Sequence, residues 1–137
     1  MLRFIHVTKE ITALETILDD QIQPASIDLR LGPKAFRVRA NFLPGSNATV
    51  QEKLREFAMH EMDITNGGVL EKRCVYIVQL LEHLTLKHRM SALANPKSST
   101  GRLDIFTRVI TNNGAEFDRI REGYKDPLIC GDLSANL

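Results

Sequence analysis

Apolar and polar residues alternate one by one in two segments of this chain, and this period constrains its fold more than any other feature. Residues 27–31 place three aliphatic side chains around two charged ones, and a Gly-Pro pair follows at 32–33. Residues 36–42 repeat the pattern with four apolar side chains, and a Pro-Gly pair follows at 44–45. A period of two is typical of a strand with one buried face, and Gly and Pro end such strands. We therefore predict strands at 27–31 and 36–42.

Other segments favour the same fold class. Residues 74–78 and 105–110 are rich in β-branched and aromatic residues, which predicts two more strands. A helix is predicted at 49–59, where Thr49 and Glu52 have the spacing of a capping box. Short strands, turn residues between them and a single clear helix indicate a β-rich sandwich or barrel-like fold with one amphipathic helix.

The composition argues against several kinds of partner. The 137 residues, of which 43% are hydrophobic, suffice for one domain with a core, so we expect a single domain over residues 1–137. A formal net charge of +1 gives no overall basic field, which argues against nucleic acid as a partner. No apolar run has the length of a membrane span or a signal peptide, and Cys74 and Cys130 fit reduced thiols better than a disulfide framework. We expect a cytoplasmic protein without a membrane partner.

Residues 95–104, Asn-Pro-Lys-Ser-Ser-Thr-Gly-Arg-Leu-Asp, have a composition that suits phosphate binding. The proline fixes its own φ, so that a helical turn can begin near Lys97 or Ser98. A helix start leaves backbone N–H groups unpaired, which favours bound anions. In such a turn Ser98 and Arg102 lie on one face, so that a hydroxyl and a guanidinium converge on one ligand. The alternative is that Ser98 or Ser99 is only an N-cap and that Arg102 is a solvated charge.

Residues 22–32, Ile-Gln-Pro-Ala-Ser-Ile-Asp-Leu-Arg-Leu-Gly, and residues 95–104 together resemble the dCTP deaminase family of the dUTPase superfamily, especially its longer bacterial form. The match continues through residues 105–110 and covers about residues 20–128. The resemblance implies a mainly β, distorted jelly-roll (dUTPase-like) fold that assembles as a homotrimer. It also implies hydrolytic deamination of dCTP to dUTP and ammonia in pyrimidine deoxynucleotide metabolism.

The same resemblance implies roles for individual residues. Ser98 corresponds to the serine near the nucleophilic water, and Arg102 corresponds to the arginine that orients the catalytic carboxylate. Lys97, Ser99 and Thr100 fall in the substrate-binding part of the motif that contacts phosphate. Magnesium accompanies the triphosphate in the family, so we expect Mg²⁺ as a companion of the nucleotide.

Two sequence features concern a metal bound by the protein itself. Zinc-dependent nucleobase deaminases carry a His-x-Glu element and a Pro-Cys-x-x-Cys element. This sequence has neither, so we expect water activation without zinc and no metal ligands. Asp28 is expected to be structural rather than metal-binding, since Ser26 and Arg30 are nearby partners.

The sequence departs from the family pattern near its last residues. In the family, Gly-Pro-Leu-Tyr-(Ala/Leu)-Glu-Ile-Ser follows the Gly-Tyr element, and its glutamate is the general base. Aligned without a gap, Gly131 takes the place of that glutamate, and Asp132 follows one residue later. Because a shift by one residue in a strand turns a side chain to the opposite face, Asp132 is a candidate base on the wrong face. The later strands of the family have no counterpart, so we expect a fold that is incomplete at the C terminus.

Two other functions therefore stay open. One is a catalytically impaired remnant or nucleotide-binding module that lacks the general base. The other is an activity like that of a dUTP pyrophosphatase. Since proton transfer by a positioned side chain contributes about 10²–10⁴-fold, we expect deamination to be much slower than in a family member with the glutamate.

Overall fold

A computed structural model describes the backbone of residues 9–135 and the side chains of residues 9–131. The strands are β1 (Ile11–Ala13), β2 (Leu31–Val38), β3 (Ala58–Asp63), β4 (Val75–Leu84), β5 (Ala92–Leu93), β6 (Ile105–Ile110), β7 (Arg119–Ile120) and β8 (Pro127–Ala135). The helices are α1 (Val50–Phe57) and α2 (Ser98–Gly101), with a 3₁₀ turn at Asp19–Gln21. The predicted mainly β class with one amphipathic helix is confirmed.

The main sheet is antiparallel, with the strand order β3-β2-β4-β8-β6, and β1 pairs with the last residues of β4. Strands β5 and β7 form a separate two-stranded sheet. The central strand β4 is buried on both faces: Tyr76 and Val78 belong to one hydrophobic cluster, and Ile77 belongs to the other. The sheet is therefore covered on both sides, which is how its central strand carries an almost continuous apolar sequence.

Helix α1 covers one face of the sheet and begins as predicted. The backbone N–H of Glu52 donates to Oγ1 of Thr49 (3.2 Å), and the backbone N–H of Thr49 donates to Oε2 of Glu52 (2.7 Å), which completes a capping box. Val50 and Leu54 form its buried face. The helix ends at Phe57 rather than at residue 59, because Ala58 pairs with β2 as the first residue of β3.

The strand predicted at 27–31 is wrong. In this segment only Ile27 pairs, as an isolated bridge to Ile22, before β2 begins at Leu31. The intervening backbone finds other partners, since the N–H of Asp28 donates to the carbonyl of Gln21 (2.9 Å) and the N–H of Arg30 donates to a side chain of β4. The carbonyl of Arg30 accepts from the backbone N–H of Leu81 on β4 (3.0 Å), but no regular strand pairing extends back to residue 27.

The Gly-Pro pair at 32–33 does not end a strand, and the strand predicted to reach residue 42 ends at Val38. Pro33 is tolerated because the register of β2 against β4 shifts between Leu31 and Ala35. Gly32 is required for close approach of the two strands, since a Cβ at this position would lie 2.5 Å from the carbonyl oxygen of Gln79. The strand predicted at 74–78 is the first half of β4, and the strand predicted at 105–110 coincides with β6.

Tyr124 ties three elements together at one end of the sheet. Its side chain is buried, and its hydroxyl accepts from the backbone N–H of Asn112 (3.1 Å) and donates to the carbonyl of Pro127 (2.9 Å). The side-chain oxygen of Asn112 in turn accepts from the N–H of Val50 at the start of α1 (3.0 Å). Burial raises the pKa of Tyr124 from its ordinary value of 10.0 to about 12.

Tyr124→Phe is expected to lower the free energy of unfolding at neutral pH by about 1–3 kcal/mol, because two buried backbone groups lose their partner. Above pH 10 the unfolded tyrosine releases its proton while the folded one holds it, so this tyrosine's contribution to stability falls between pH 10 and about pH 12. Urea unfolding of both proteins from pH 8 to pH 11.5 measures this. The difference in the free energy of unfolding between the two proteins should narrow above pH 10. A difference that stays constant with pH would contradict the raised pKa of Tyr124.

Candidate functional site

The predicted helical turn in residues 95–104 is confirmed. Helix α2 has Lys97 as its N-cap residue, and the N–H of Arg102 donates to the carbonyl of Ser98 (3.1 Å), so Ser98 and Arg102 lie one turn apart. The alternative in which Ser98 or Ser99 is the N-cap is wrong, since the cap is Lys97 and no side chain bonds across it. The hydroxyl of Thr100 donates locally to the carbonyl of Lys97 (2.5 Å).

An ion pair joins this turn to the other segment of the family motif. Nζ of Lys97 lies 2.5 Å from Oδ2 of Asp28. The local partners expected for Asp28, Ser26 and Arg30, are therefore corrected: its carboxylate pairs with a residue 69 positions later in the chain. Both side chains are partly exposed to solvent.

Gln21 connects the backbone of Asp28 to the protein core. The N–H of Asp28 donates to the carbonyl of Gln21 (2.9 Å), and Nε2 of Gln21 donates to the carbonyl of Asp28 (2.9 Å). The same Nε2 lies 3.2 Å from Oε1 of Glu82, a fully buried residue of β4. Arg30 binds the same carboxylate through its backbone N–H (2.9 Å) and its Nε (3.0 Å).

The role of Glu82 was missed by sequence reasoning. A single acidic residue within the largely apolar run of β4 was the available signal, because a buried charge needs a built set of partners. Its three donors come from residues 21 and 30, far away in sequence. A lone glutamate does not identify such partners.

The side chains expected to contact ligand are accessible. Ser98, Ser99 and Arg102 are exposed, and Thr100 is partly buried. Within residues 9–131, no hydrogen bond or ion pair engages the guanidinium of Arg102 or the hydroxyls of Ser98 and Ser99. These groups can therefore bind a ligand without first breaking a protein contact.

Strands β6 and β8 bring the backbone of the last described residues to the start of β6, next in the chain to the turn of α2. β6 begins three residues after Arg102 and pairs antiparallel with β8, with Phe106 opposite Ser134 and Ile105 opposite Ala135. The backbone of residues 132–135 thus runs towards the turn that carries Ser98 and Arg102. The side chain of Asp132 lies outside the described side chains.

A bulge interrupts β8 where the candidate base was expected. Cys130 faces Val78 and Leu133 faces Tyr76, so β8 spends three residue steps against two on β4. The pairs of Gly131 with Arg108 and of Ser134 with Phe106 give the same excess against β6. Residue 132 is the position common to both irregularities. The pairing of β8 therefore shifts by one residue beyond Gly131, and the face that Asp132 takes stays a prediction.

Gly131 occupies a position without room for a side chain. A Cβ there would lie 2.2 Å from Cδ1 and 2.8 Å from Cγ1 of Ile110, which is fully buried. It would also lie 3.2 Å from Oδ1 of Asn41. A glutamate cannot be accommodated at residue 131 unless Ile110 moves.

A cavity of about 770 Å³ lies between the end of α1 and residues 39–42. Its lining includes Asn41, the exposed Arg39 and Met59, and the stacked rings of Phe42 and Phe57, whose centroids are 5.4 Å apart. None of the predicted site residues lines it.

Metal-binding side chains do not cluster in the part of the chain that the structure describes. No three His, Cys, Asp or Glu side chains there are placed to hold an ion. Cys74 and Cys130 are both thiols. Among the described helices, none combines the length and the apolar character needed to cross a bilayer.

Comparisons with known proteins agree on one family. Residues 1–134 match the family described as "2'-deoxycytidine 5'-triphosphate deaminase (DCD) N-terminal domain". A crystal structure of 2'-deoxycytidine 5'-triphosphate deaminase from Agrobacterium tumefaciens is similar with a TM-score of 0.94 and 52% identity, over 98% of this chain. A curated "dCTP deaminase, dUMP-forming" from Coprothermobacter proteolyticus is 25% identical over 126 residues, or 90% of this chain. The likeness to the Agrobacterium structure confirms the predicted dUTPase-like fold. The chain spans 40% of the Agrobacterium chain and 60% of the Coprothermobacter protein.

Gly131→Ala is expected to destabilise the protein by about 1–3 kcal/mol, because the added methyl group overlaps the buried Ile110. Gly101→Ala is the matched control, since a Cβ there has no atom within 4 Å, and its effect should stay within about 0.5 kcal/mol. Urea unfolding at pH 7 measures the free energy of unfolding of both variants. Equal stability of Gly131→Ala and the parent protein would mean that Ile110 yields and that residue 131 can carry a side chain.

Proposed function

This chain belongs to the family of 2'-deoxycytidine 5'-triphosphate deaminase (DCD) N-terminal domains, and on that premise we propose that it binds dCTP and replaces the amino group of its cytosine by hydrolysis, giving dUTP and ammonia. The observation that carries the proposal is the Lys97–Asp28 ion pair, which joins the two family segments beside the exposed Ser98 and Arg102. Strand β8 adds to it, because its last described residues pair with the start of β6, three residues after Arg102.

The triphosphate is assigned to the turn around α2. Lys97 and Ser99 supply a cation and a hydroxyl that suit phosphate oxygens, and Thr100 adds a second hydroxyl when it exchanges its bond to the carbonyl of Lys97 for one to the ligand. Magnesium enters as part of the substrate, coordinated by the triphosphate oxygens. Lysine at position 97 contributes a single point charge rather than the two-pronged geometry of arginine.

The reacting water is assigned to Ser98 and Arg102. The Ser98 hydroxyl holds the water by a hydrogen bond, and the Arg102 guanidinium orients the carboxylate that takes the water's proton. The resulting hydroxide attacks C4 of cytosine, and the proton passes to the amino group, which leaves as ammonia. This division of roles requires no metal-bound water.

Asp132 is the carboxylate that we assign to the base. The bulge gives β8 one extra residue. If the family pattern is aligned with one residue inserted there, Leu133 and Ser134 take the places of the Ile and Ser that follow the family glutamate. Asp132-Leu133-Ser134 then corresponds to Glu-Ile-Ser, which the crowded Gly131 position also favours. An aspartate is one methylene shorter than a glutamate, so slower turnover than in a glutamate-bearing relative is expected.

A second candidate function is removal of pyrophosphate from the deaminated product. The name of the Coprothermobacter relative includes "dUMP-forming", which favours the dUTP pyrophosphatase-like alternative as a second step at the same site. A binding module without turnover is the remaining outcome. Analysis of the nucleotide products separates dUTP, dUMP and unchanged dCTP.

Assembly and location follow the family expectation. We assign a homotrimer and a cytoplasmic location, with dCTP as the small-molecule partner and without nucleic acid or membrane as partner. The near-neutral net charge of +1 supports the absence of a nucleic-acid partner. Sedimentation of the purified protein measures the assembly.

Arg102→Ala is expected to weaken Mg·dCTP binding by about tenfold or more, because its guanidinium, besides orienting the carboxylate, lies at the end of the turn that binds the triphosphate, and charged interactions of this kind contribute roughly 1.5–3 kcal/mol. Arg55→Ala is the matched control, since Arg55 is an exposed arginine on α1 and removes the same charge away from the motif. Calorimetric titration gives both affinities. Similar losses in the two variants would indicate diffuse electrostatic attraction instead of a site.

Asp132→Asn is expected to reduce ammonia release from dCTP by about 10²–10⁴-fold while dCTP binding persists, because the amide cannot accept the water's proton. Asp132→Glu should retain turnover. Ammonia release and product chromatography at saturating Mg·dCTP measure both variants beside the parent protein. Parent-like turnover in Asp132→Asn would remove Asp132 from the mechanism, and binding without turnover in the parent protein would favour the binding module.

A further inference from the structure

Glu82 lies inside the sheet, yet its contacts lead to the phosphate site. Its side chain is fully buried, and its carboxylate accepts from the backbone N–H and Nε of Arg30 and from Nε2 of Gln21. A buried carboxylate keeps such partners firmly, because losing one leaves a charge uncompensated at low dielectric. Glu82 therefore fixes Gln21 and Arg30, which lie on either side of Asp28 in the sequence.

Asp28 receives this rigidity through its backbone. Gln21 binds the N–H and the carbonyl of Asp28, both at 2.9 Å, while the same Gln21 side chain is held by Glu82. The Asp28 carboxylate itself points away from these contacts to Nζ of Lys97. A fixed backbone thus presents an accessible carboxylate to a flexible lysine.

The ion pair has little to contribute to folding. Its two side chains are 63% and 37% exposed, and exposed pairs of this kind contribute little to stability. A lysine side chain without such a partner has many rotamers, and binding a ligand must then order it. The larger consequence of the pair is therefore the placement of Nζ before a ligand arrives.

We propose that Glu82 and Asp28 are positioning residues for Lys97, and this inference rests on the proposed function of Lys97 as a phosphate ligand. Glu82 fixes Gln21 and Arg30, Gln21 fixes the backbone of Asp28, and Asp28 holds the lysine ammonium beside α2. Neither carboxylate touches the nucleotide. Binding of the triphosphate then costs less entropy, because the lysine is ordered in advance.

The chain offers a matched control pair. Lys34 and Glu61 join β2 and β3 with the same 2.5 Å N–O distance and similar exposure, 61% and 49%. This pair lies on the β3 edge of the sheet, and its hydrogen bond joins β2 to β3 without involving residues 95–104. Glu61→Gln removes an equivalent ion pair without touching the phosphate site.

The test compares Asp28→Asn, Glu61→Gln and the parent protein by titration with Mg·dCTP and with deoxycytidine, which lacks phosphate. Asp28→Asn should weaken dCTP binding about three- to tenfold, leave deoxycytidine binding unchanged, and have no further effect in a Lys97→Ala background. Asp28→Glu should restore part of the affinity. Glu61→Gln should leave both affinities unchanged.

Glu82→Gln extends the test to the buried carboxylate, since it keeps the shape and removes the charge. It should weaken dCTP binding in the same direction, and its effect should not add to that of Asp28→Asn. If Glu82→Gln does not fold, the exposed Asp28 variant still decides the inference.

Two results overturn the inference while leaving the proposed function intact. Unchanged or tighter dCTP binding by Asp28→Asn would mean that Asp28 competes with phosphate for Lys97. Equal losses for dCTP and deoxycytidine would mean a structural role only. Absence of dCTP binding by the parent protein would overturn the proposed function as well, so the two failures are distinguishable.

Discussion

The hydrogen bonding of one buried carboxylate governs how this molecule is put together. Glu82 lies on the central strand with both faces of the sheet covered, so its charge must be matched from within the protein. Gln21 and Arg30 supply the donors and in doing so draw the segment between them onto β4. That segment contains Asp28, whose carboxylate reaches Lys97. A requirement of the core thereby places the two halves of the family motif side by side.

Elements that depend on neighbours in sequence could be predicted, and elements that depend on distant partners could not. The capping box of α1, the turn at Ser98 and strand β6 follow from spacing, backbone restriction and side-chain type within a few residues. The segment 27–31 has the alternation of a strand but finds its partners elsewhere. The N–H of Arg30 bonds to Glu82, 52 positions away, and no local pattern announces that contact.

The bulge in β8 illustrates the same limit at the candidate site. Sequence alternation assigns faces only while pairing is uninterrupted, and one extra residue reverses every assignment beyond it. Gly131 comes just before the extra residue of β8. It has no room for a side chain, because the buried side chain of Ile110 fills the space that one would need. Ile110 is on another strand, so the motif residues could be recognised from sequence while the register of the carboxylate beside them could not.

Charges that stabilise the fold and charges available for chemistry are separate in this structure. Glu82 is buried and saturated with donors, so removing a partner is costly and the carboxylate is unable to meet a ligand. Arg102, Ser98 and Ser99 are exposed, and no described side chain or backbone group binds their polar side-chain atoms. Contact with a ligand there requires no rearrangement of the core. Substitutions at the exposed turn can therefore alter ligand binding at little cost in stability, whereas the residues that hold the turn in place act on folding and binding together.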